Sequence, residues 1–394
     1  MKQKDQTSIL VLSTLSMIVS FTVWSVFAPI ATEIQKIYQL SITEKSILIA
    51  TPVLLGSLMR IPMGILTDRF GGRRVYALTM ALLILPMIGA GFADSYAMML
   101  FWAFFIGMAG TTFAISITYV SKWYPPQKQG LILGIAGIGN LGSAVANFLI
   151  PVIFNSFGLA WVFWSLAFTM ACMAIIFWFG TKDVQRTSKT KTLKESWSVL
   201  KFKETWLLSI FYFLTFGSFV TFSIYLPTLL NDLFNITAID AGIRTAGFVI
   251  IATLIRPVGG YLSDRFGAKG LLSVVFSGVS LCGLIIAFNM DNNFILFSIN
   301  CLIISMLVGI GNGAVFKMVP EVSSGNTGTV TGIVGAIGGI GGFFPPIALG
   351  FSKDITGDYF LSFILLFLLS LFCLFLNHTG IYKTRVNVSS QKSA

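Results

Sequence analysis

Long apolar stretches recur along the chain, and polar residues, glycine or proline separate each stretch from the next. Each stretch is close to the roughly 20 apolar residues that a membrane-spanning helix needs. Only helices and closed barrels satisfy their backbone polar groups inside a bilayer, and the alternating strand pattern of a barrel is missing from this sequence. We therefore predict an all-α membrane protein with twelve transmembrane helices, spans 1 to 12, at about residues 9–32, 46–67, 75–92, 96–120, 130–154, 160–180, 205–230, 242–263, 270–289, 294–317, 328–351 and 359–377.

The longest polar stretch lies between spans 6 and 7 and is rich in lysine, serine and threonine. It divides the chain into an N-terminal six-helix bundle at 1–180 and a C-terminal six-helix bundle at 205–394 that ends in a short cytoplasmic tail. The stretch itself, 181–204, is predicted to be a cytoplasmic linker with some amphipathic helix around Leu193–Phe202.

The two halves repeat each other in sequence. The run from Arg60 to Gly71 matches the run from Arg256 to Gly267 at an offset of 196 residues. Two glycine-rich segments, at about 134–142 and 332–342, match at a similar offset. Internal repeats with a binding site near the midplane, where the halves meet, are typical of secondary transporters.

Composition agrees with a membrane protein, because 55% of the residues are hydrophobic and only 10% are charged, whereas soluble chains carry roughly 25% charged residues. The net charge of +11 would also suit a nucleic-acid-binding protein. However, with the N-terminus in the cytoplasm, twenty of the 26 Lys and Arg residues fall on the cytoplasmic side and four outside. This is the positive-inside pattern. We predict a multi-pass cell-membrane protein in contact with the lipid bilayer, with both termini cytoplasmic and no nucleic-acid partner.

Two arginines, Arg60 and Arg256, remain well inside apolar segments, whereas all 15 acidic residues can be placed at helix ends or in loops. Each arginine stands eight residues, roughly 12 Å, before an aspartate at the cytoplasmic end of its span. A buried guanidinium keeps its proton and needs a counter-charge. We therefore expect the substrate to supply it, as a planar oxyanion that accepts two parallel hydrogen bonds. The alternative is that one or both arginines snorkel or pair with helix carbonyls.

Charged residues cluster again at the cytoplasmic ends of spans 2 and 8. Gly64-Ile-Leu-Thr-Asp68-Arg69-Phe-Gly-Gly-Arg73-Arg74 lies after span 2, and a shorter copy lies after span 8. Such side chains can hold helix ends together in one conformation, so we predict a conformational latch formed by Asp68, Arg69, Arg73, Asp264 and Arg265. The motif resembles the loop signature of the major facilitator superfamily, and the resemblance extends to the twelve spans and the central linker.

The glycine-rich segments carry a closer resemblance. Gly137-Ile-Gly139-Asn140-Leu-Gly142 in span 5 and Gly335-Ala-Ile-Gly338-Gly339-Ile-Gly341 in span 11 are similar to the nitrate signatures of the nitrate/nitrite porters (NarK-like) of that superfamily. The glycines also let helices pack closely and slide. The match to a dinucleotide fingerprint, Gly-x-Gly-x-x-Gly, has no strand–helix–strand context and is set aside.

This resemblance implies roles for individual side chains. The two arginines and Tyr212 of span 7 would bind the anion, Phe113 of span 4 and Phe316 of span 10 would sandwich it, and Asn140 would assist. For Asn140, a structural bond between helices is the competing interpretation. Lys317 either places a third positive charge near the pathway or lies at the cytoplasmic end, pairing with Glu321 one helical turn later.

We therefore expect a monomeric major facilitator carrier that transports nitrate by alternating access, with nitrite as its exchange partner. Proton-coupled nitrate symport, or a carrier for another small anion such as formate or an organic acid, remain the alternatives. The sequence has no nucleophile constellation or metal-ligand spacing, so we expect neither an enzyme nor a cofactor or metal site.

Overall fold

The computed structural model describes residues 3–124, 132, 135–183, 198–290, 293–322 and 327–380. Every regular element within these ranges is helical. Eleven helices there are long and apolar enough to cross a membrane, and Ile42–Leu58 with Arg60–Phe70 forms one further, bent span. The prediction of an all-α membrane protein with twelve spans is therefore confirmed. Most of the predicted linker (184–197) and the tail (381–394) lie outside the described residues.

The helices that build the spans have the following bounds. Span 1 contains Gln3–Trp24 and Ala31–Tyr38, span 2 Ile42–Leu58 and Arg60–Phe70, span 3 Gly72–Gly91, span 4 Tyr96–Ile106 and Thr112–Ser121, span 5 Gly142–Phe157, span 6 Leu159–Gly180, span 7 Lys203–Phe234, span 8 Ala238–Leu254 and Arg256–Phe266, span 9 Ala268–Asn289, span 10 Phe294–Val322, span 11 Thr327–Ile340 and Phe344–Thr356, and span 12 Phe360–Thr379. Short 3-10 turns at Gly107–Thr111 and Ile138–Leu141 interrupt spans 4 and 5.

The region of the predicted amphipathic helix differs from expectation where it is described. A 3-10 turn at Ser198–Lys201 precedes span 7, and the span begins at Lys203. The first part of that predicted helix lies outside the described residues.

Spans 2 and 8 break at equivalent positions. Met59 and Ile255 interrupt the helical path, and Arg60 and Arg256 each begin the second helix of their span. A proline follows each arginine within two residues, and proline has no N–H to donate to the carbonyl four residues earlier. The local sequence therefore ends one helix and starts another at the level of each arginine.

The outer surface suits a bilayer. Large apolar side chains point away from the protein along the spans; Phe168 is 72% exposed and Phe179 80% exposed. A soluble monomer rarely exposes so much contiguous apolar surface. Spans 3 and 6 pack together on one side of the molecule and spans 9 and 12 on the other, while span 2 contacts span 11 and span 5 contacts span 8 between the two groups.

Candidate functional site

The two arginines converge on one phenyl ring. The guanidinium carbon of Arg60 lies 5.2 Å from the centre of the Phe216 ring, and that of Arg256 lies 5.5 Å from the same centre. Phe216 belongs to span 7, so spans 2, 7 and 8 meet at this ring. Two positive charges from opposite halves of the sequence therefore share one aromatic cluster.

Arg60 is almost fully buried, at 1% exposure. Its Nη1 donates a hydrogen bond of 2.8 Å to the carbonyl of Gly335 in span 11, and the Phe113 ring lies 5.3 Å from its guanidinium carbon. Its Nε and Nη2 have no hydrogen-bond partner among the described residues. Pairing with a helix carbonyl, the alternative raised from the sequence, thus satisfies one nitrogen of the fork and leaves two.

Arg256 is partly buried and also borders aromatic rings. The ring of Phe219 lies 4.6 Å from its guanidinium carbon, and within the described ranges its Nε and Nη2 also lack partners. The ion pairs found in these ranges include neither arginine. A cation–π contact that is shielded from water contributes about 2 kcal/mol. This is less than the several kcal/mol that burial of an arginine costs. Among the described residues, no carboxylate therefore pairs with either arginine, and the Nε and Nη2 groups of both can donate hydrogen bonds to a ligand.

Tyr212 completes the aromatic wall. It is 1% exposed, stacks on Phe216 with ring centres 4.9 Å apart, and meets the edge of Phe316 at 4.8 Å. Gly338 of span 11 lies against this wall, and a Cβ added there would overlap the Tyr212 ring. Close approach of spans 7 and 11 therefore requires glycine at this position.

The other signature glycines fall into two environments. A Cβ at Gly339 would meet Ser57 Oγ and lie 3.2 Å from Arg60 Nη1, whereas a Cβ at Gly335 would stand in open space. Close packing surrounds Gly139 and Gly142, which face span 1, and Gly341, which faces span 7, while Gly137 is open like Gly335.

Asn140 is buried in the 3-10 turn of span 5 and points part of its amide at its own helix. Its Nδ2 donates to the Gly137 carbonyl at 2.7 Å, and its Oδ1 has no partner in the described part of the chain. The predicted site thus divides in two. Arg60, Arg256, Tyr212, Phe113 and Phe316 form one cluster, and no described contact joins Asn140 to it.

The predicted latch residues pair differently from expectation. Asp68 forms an ion pair with Lys122 of span 4 at 2.7 Å, and Asp264 forms one with Lys317 of span 10. The side chain of Glu321, the partner expected for Lys317, lies outside the described residues. Span 10 packs against the second helix of span 8, where a Cβ on Gly313 would press on the Arg256 backbone, and this packing brings Lys317 to Asp264.

The latch arginines contact other groups. Arg73 lies over the Trp178 ring at 4.2 Å and donates to the Trp178 carbonyl, while its backbone N–H donates to Asp183. The guanidinium groups of Arg69 and Arg265 each lie over the phenylalanine that follows them. The three ion pairs described at this end of the molecule, which include Lys182 with Asp5, each stay within the first or within the second group of six spans.

The opposite end, predicted to face outside, joins the two groups of spans. Lys45 Nζ of span 2 lies 3.3 Å from Asp232 Oδ2 of span 7, and the Tyr359 hydroxyl donates to the same oxygen at 2.7 Å. The Ser46 and Tyr225 hydroxyls are 2.8 Å apart, and the Thr43 backbone N–H donates to Asp354 at 2.8 Å. We call these residues the outer closure: Thr43, Lys45, Ser46, Tyr225, Asp232, Asp354 and Tyr359.

Several of these residues were not predicted from the sequence. Lys45, one of the four basic residues counted on the outer side, is 1% exposed, and its burial was not predicted. Phe216 and Phe219 were not singled out, although both follow Tyr212 on span 7 and Phe216 stands one helical turn after it. The spacing of four residues was the available signal, but with 37 phenylalanines in the chain it was not distinctive.

Comparison with known proteins gives consistent matches along the whole chain. Residues 13–346 match the family model of the Major Facilitator Superfamily. The chain is 37% identical over 356 residues to the "Nitrite extrusion protein" of Bacillus subtilis, covering 90% of this chain and 89% of the relative. It is 37% identical to the "Probable nitrate transporter NarT" of Staphylococcus epidermidis, covering 93% and 94%, and 38% identical to that of Staphylococcus carnosus, with the same coverage.

Solved structures agree on the fold. The crystal structure of a bacterial homologue of the human lysosomal transporter Spinster, in an inward-facing and occupied conformation, matches with a TM-score of 0.79. The match covers 99% of this chain and 100% of that chain at 16% identity.

Proposed function

The chain belongs to the major facilitator superfamily and, within it, to the nitrate/nitrite porters, and from this premise we propose that it carries nitrate across the cell membrane by alternating access. It is a transporter and not an enzyme. The observation that carries the choice of substrate is the pair of guanidinium groups on Phe216, whose Nε and Nη2 atoms are buried and have no protein partner among the described residues.

A planar oxyanion fits this arrangement. Nitrate has three equivalent oxygens in one plane, and a guanidinium fork donates parallel hydrogen bonds to two oxygens of such a plane. Phe113, which lies beside Arg60, and Phe316, which meets Tyr212, would cover the faces of the anion while Tyr212 and the arginines hold its edge. The names of the relatives, which mention nitrate and nitrite, support the same substrate class.

We propose exchange of nitrate for nitrite as the mode of transport. The guanidinium carbons lie 5.2 and 5.5 Å from the same ring centre and so are at most about 11 Å apart, and like charges at this separation repel by roughly 1.5 kcal/mol or more at an effective dielectric near 20. A bound anion reduces the local charge from +2 to +1, so the loaded carrier reaches the occluded state more easily than the empty one. A difference of this size shifts a conformational equilibrium more than tenfold, which favours return of the carrier with a second anion.

The proposal includes the arrangement of the chain in the membrane. Both termini would lie in the cytoplasm, and the six-helix bundles at 1–180 and 205–394 would move about the anion as a monomer, joined by the linker at 181–204. The hydrogen bonds of the outer closure would then hold the external entrance shut, leaving access from the cytoplasm.

Reconstitution into liposomes tests exchange directly. Labelled nitrate is supplied outside vesicles that contain nitrite, chloride or no permeant anion, at equal pH on both sides. We expect nitrate uptake to depend on internal nitrite. Equal uptake into vesicles without nitrite would contradict exchange. In a second series, with the external solution made more acidic, uptake driven by the pH difference would instead indicate proton symport. Competition by formate and organic acids tests the choice of anion.

A further inference from the structure

Asn312 is a buried amide on span 10 that the site as described does not use. The residue is 2% exposed, and neither its Nδ2 nor its Oδ1 has a hydrogen-bond partner in the described part of the chain. Buried amides normally find partners, because leaving one unpaired costs free energy. An unpaired amide in a transporter core is therefore a candidate for contact with the cargo.

The neighbours of Asn312 place it beside the anion cluster. A Cβ on Gly311 would lie 2.7 Å from Thr215 of span 7, and a Cβ on Gly313 would press on the Arg256 backbone of span 8. Asn312 lies between these two contacts on the helix. One turn later on the same helix face, Phe316 meets the edge of the Tyr212 ring. The amide thus stands on the face of span 10 between spans 7 and 8, at the level of the site.

The chemistry of its free atoms separates Asn312 from Asn140. Asn140 already donates one of its two amide hydrogens to the Gly137 carbonyl, and its atom without a partner is an oxygen, whose lone pairs repel an anion. Asn312 has both amide hydrogens of its Nδ2 unused. We propose that Asn312, which belongs to spans 7–12, donates a hydrogen bond to the bound anion. This inference rests on the proposed function of the site.

The test uses the purified full-length protein and potassium nitrate as the probe. Asn312→Leu removes the donor but keeps a side chain that branches at the same carbon, and Asn312→Asp replaces it with a negative charge. Asn300→Leu is the matched control, because Asn300 is also buried on span 10 but donates within its own helix to the Leu296 carbonyl. We expect nitrate affinity to fall about tenfold or more in Asn312→Leu and further in Asn312→Asp, and to stay unchanged in Asn300→Leu.

Thermal unfolding without nitrate separates a ligand from a structural residue. Removing an unpaired amide should leave the unfolding temperature of Asn312→Leu unchanged or raised, while the stabilisation by added nitrate shrinks. A lower unfolding temperature together with unchanged nitrate affinity would mean that Asn312 is structural and would overturn the proposal.

Arginine variants distinguish failure of this inference from failure of the proposed function. If Arg60→Lys and Arg256→Lys lose nitrate binding while Asn312→Leu keeps it, only the role of Asn312 is wrong. If both arginine variants bind nitrate like the unmodified chain, the proposed anion site is wrong and the inference about Asn312 falls with it.

Discussion

At the scale of single residues, the proposed site depends on guanidinium groups whose donors the protein leaves largely unused. Arg60 gives one N–H to the Gly335 carbonyl, and aromatic rings rather than carboxylates surround the remainder of both groups. A lysine would keep the positive charge but would present a point charge on a flexible stem. Shape as well as charge should therefore decide binding.

Replacing either arginine by lysine tests this directly. We expect Arg60→Lys and Arg256→Lys each to reduce nitrate uptake into liposomes at least about tenfold, because the planar fork is lost while the charge remains. Arg244→Lys is the control, since Arg244 is exposed on span 8 and pairs with Asp240 one turn earlier. Full uptake by either buried-site variant would contradict the assignment.

A pair of glycine substitutions tests the packing of the aromatic wall. Gly338→Ala should strongly reduce transport and lower the free energy of unfolding by about 1–3 kcal/mol, because the added methyl overlaps the Tyr212 ring. Gly335→Ala adds the same methyl in open space on the same helix and should be nearly neutral for stability. Uptake assays and thermal unfolding measure both effects. Equal behaviour of the two variants would show that close packing against Tyr212 is unimportant.

Prediction from sequence was uneven at this scale. Arg60 and Arg256 stood out because charges are rare inside apolar segments, and counting them was sufficient. Phe216 could not be distinguished in the same way, because apolar and aromatic residues are common in every span. Its position between two arginines depends on how spans 2, 7 and 8 converge, which the order of residues along the chain does not specify.

At the scale of elements, the second helices of spans 2 and 8 each link the site to one end of the molecule. Each begins with an arginine of the site and carries, eight residues on, an aspartate that pairs with a lysine of a neighbouring span. A shift of that ion pair would therefore move the helix that positions the guanidinium. The sequence indicated the aspartates as latch residues, but it did not identify Lys122 and Lys317 as their partners.

Neutralising the aspartates separates movement from stability. Asp68→Asn and Asp264→Asn should slow nitrate exchange several-fold, because each helix loses one of its anchors. The unfolding free energy should change by only about 1 kcal/mol or less, since the aspartate side chains are 57% and 59% exposed. Asp240→Asn, which removes an exposed pair at the other end, should leave the rate unchanged. Unaltered exchange in both latch variants would exclude this coupling.

At the scale of the whole molecule, the outer closure joins the two groups of six spans through polar groups, of which Lys45, Ser46 and Tyr225 are buried. Lys45 and Asp232 have side-chain exposures of 2% and 18%, so water screens their attraction weakly. Opening this end requires the ion pair and the neighbouring hydrogen bonds to separate together. The closure is therefore a natural barrier in an alternating-access cycle.

Loss of Lys45 should shift the carrier towards an outward-open state. In a background lacking the four native cysteines, Thr228→Cys provides a probe that is 1% exposed near the outer end of span 7. We expect Lys45→Met to increase its reaction rate with a membrane-impermeant thiol reagent several-fold. Lys36→Met removes an exposed lysine at the same end and should not change the rate. No acceleration in Lys45→Met would mean that other contacts keep this end closed.

The sequence alone determined that this chain spans a membrane twelve times, that its halves are repeats, and that each half contributes one arginine without an obvious counter-charge. These features follow from hydrophobicity and charge, whose energetic cost in a bilayer depends little on the details of packing. Tertiary structure alone decided that both arginines share Phe216, that Lys45 is buried against Asp232, and that Asn312 has an unpaired amide beside the site. Those contacts join residues more than 90 positions apart in most cases, and only the packing of the spans brings them together.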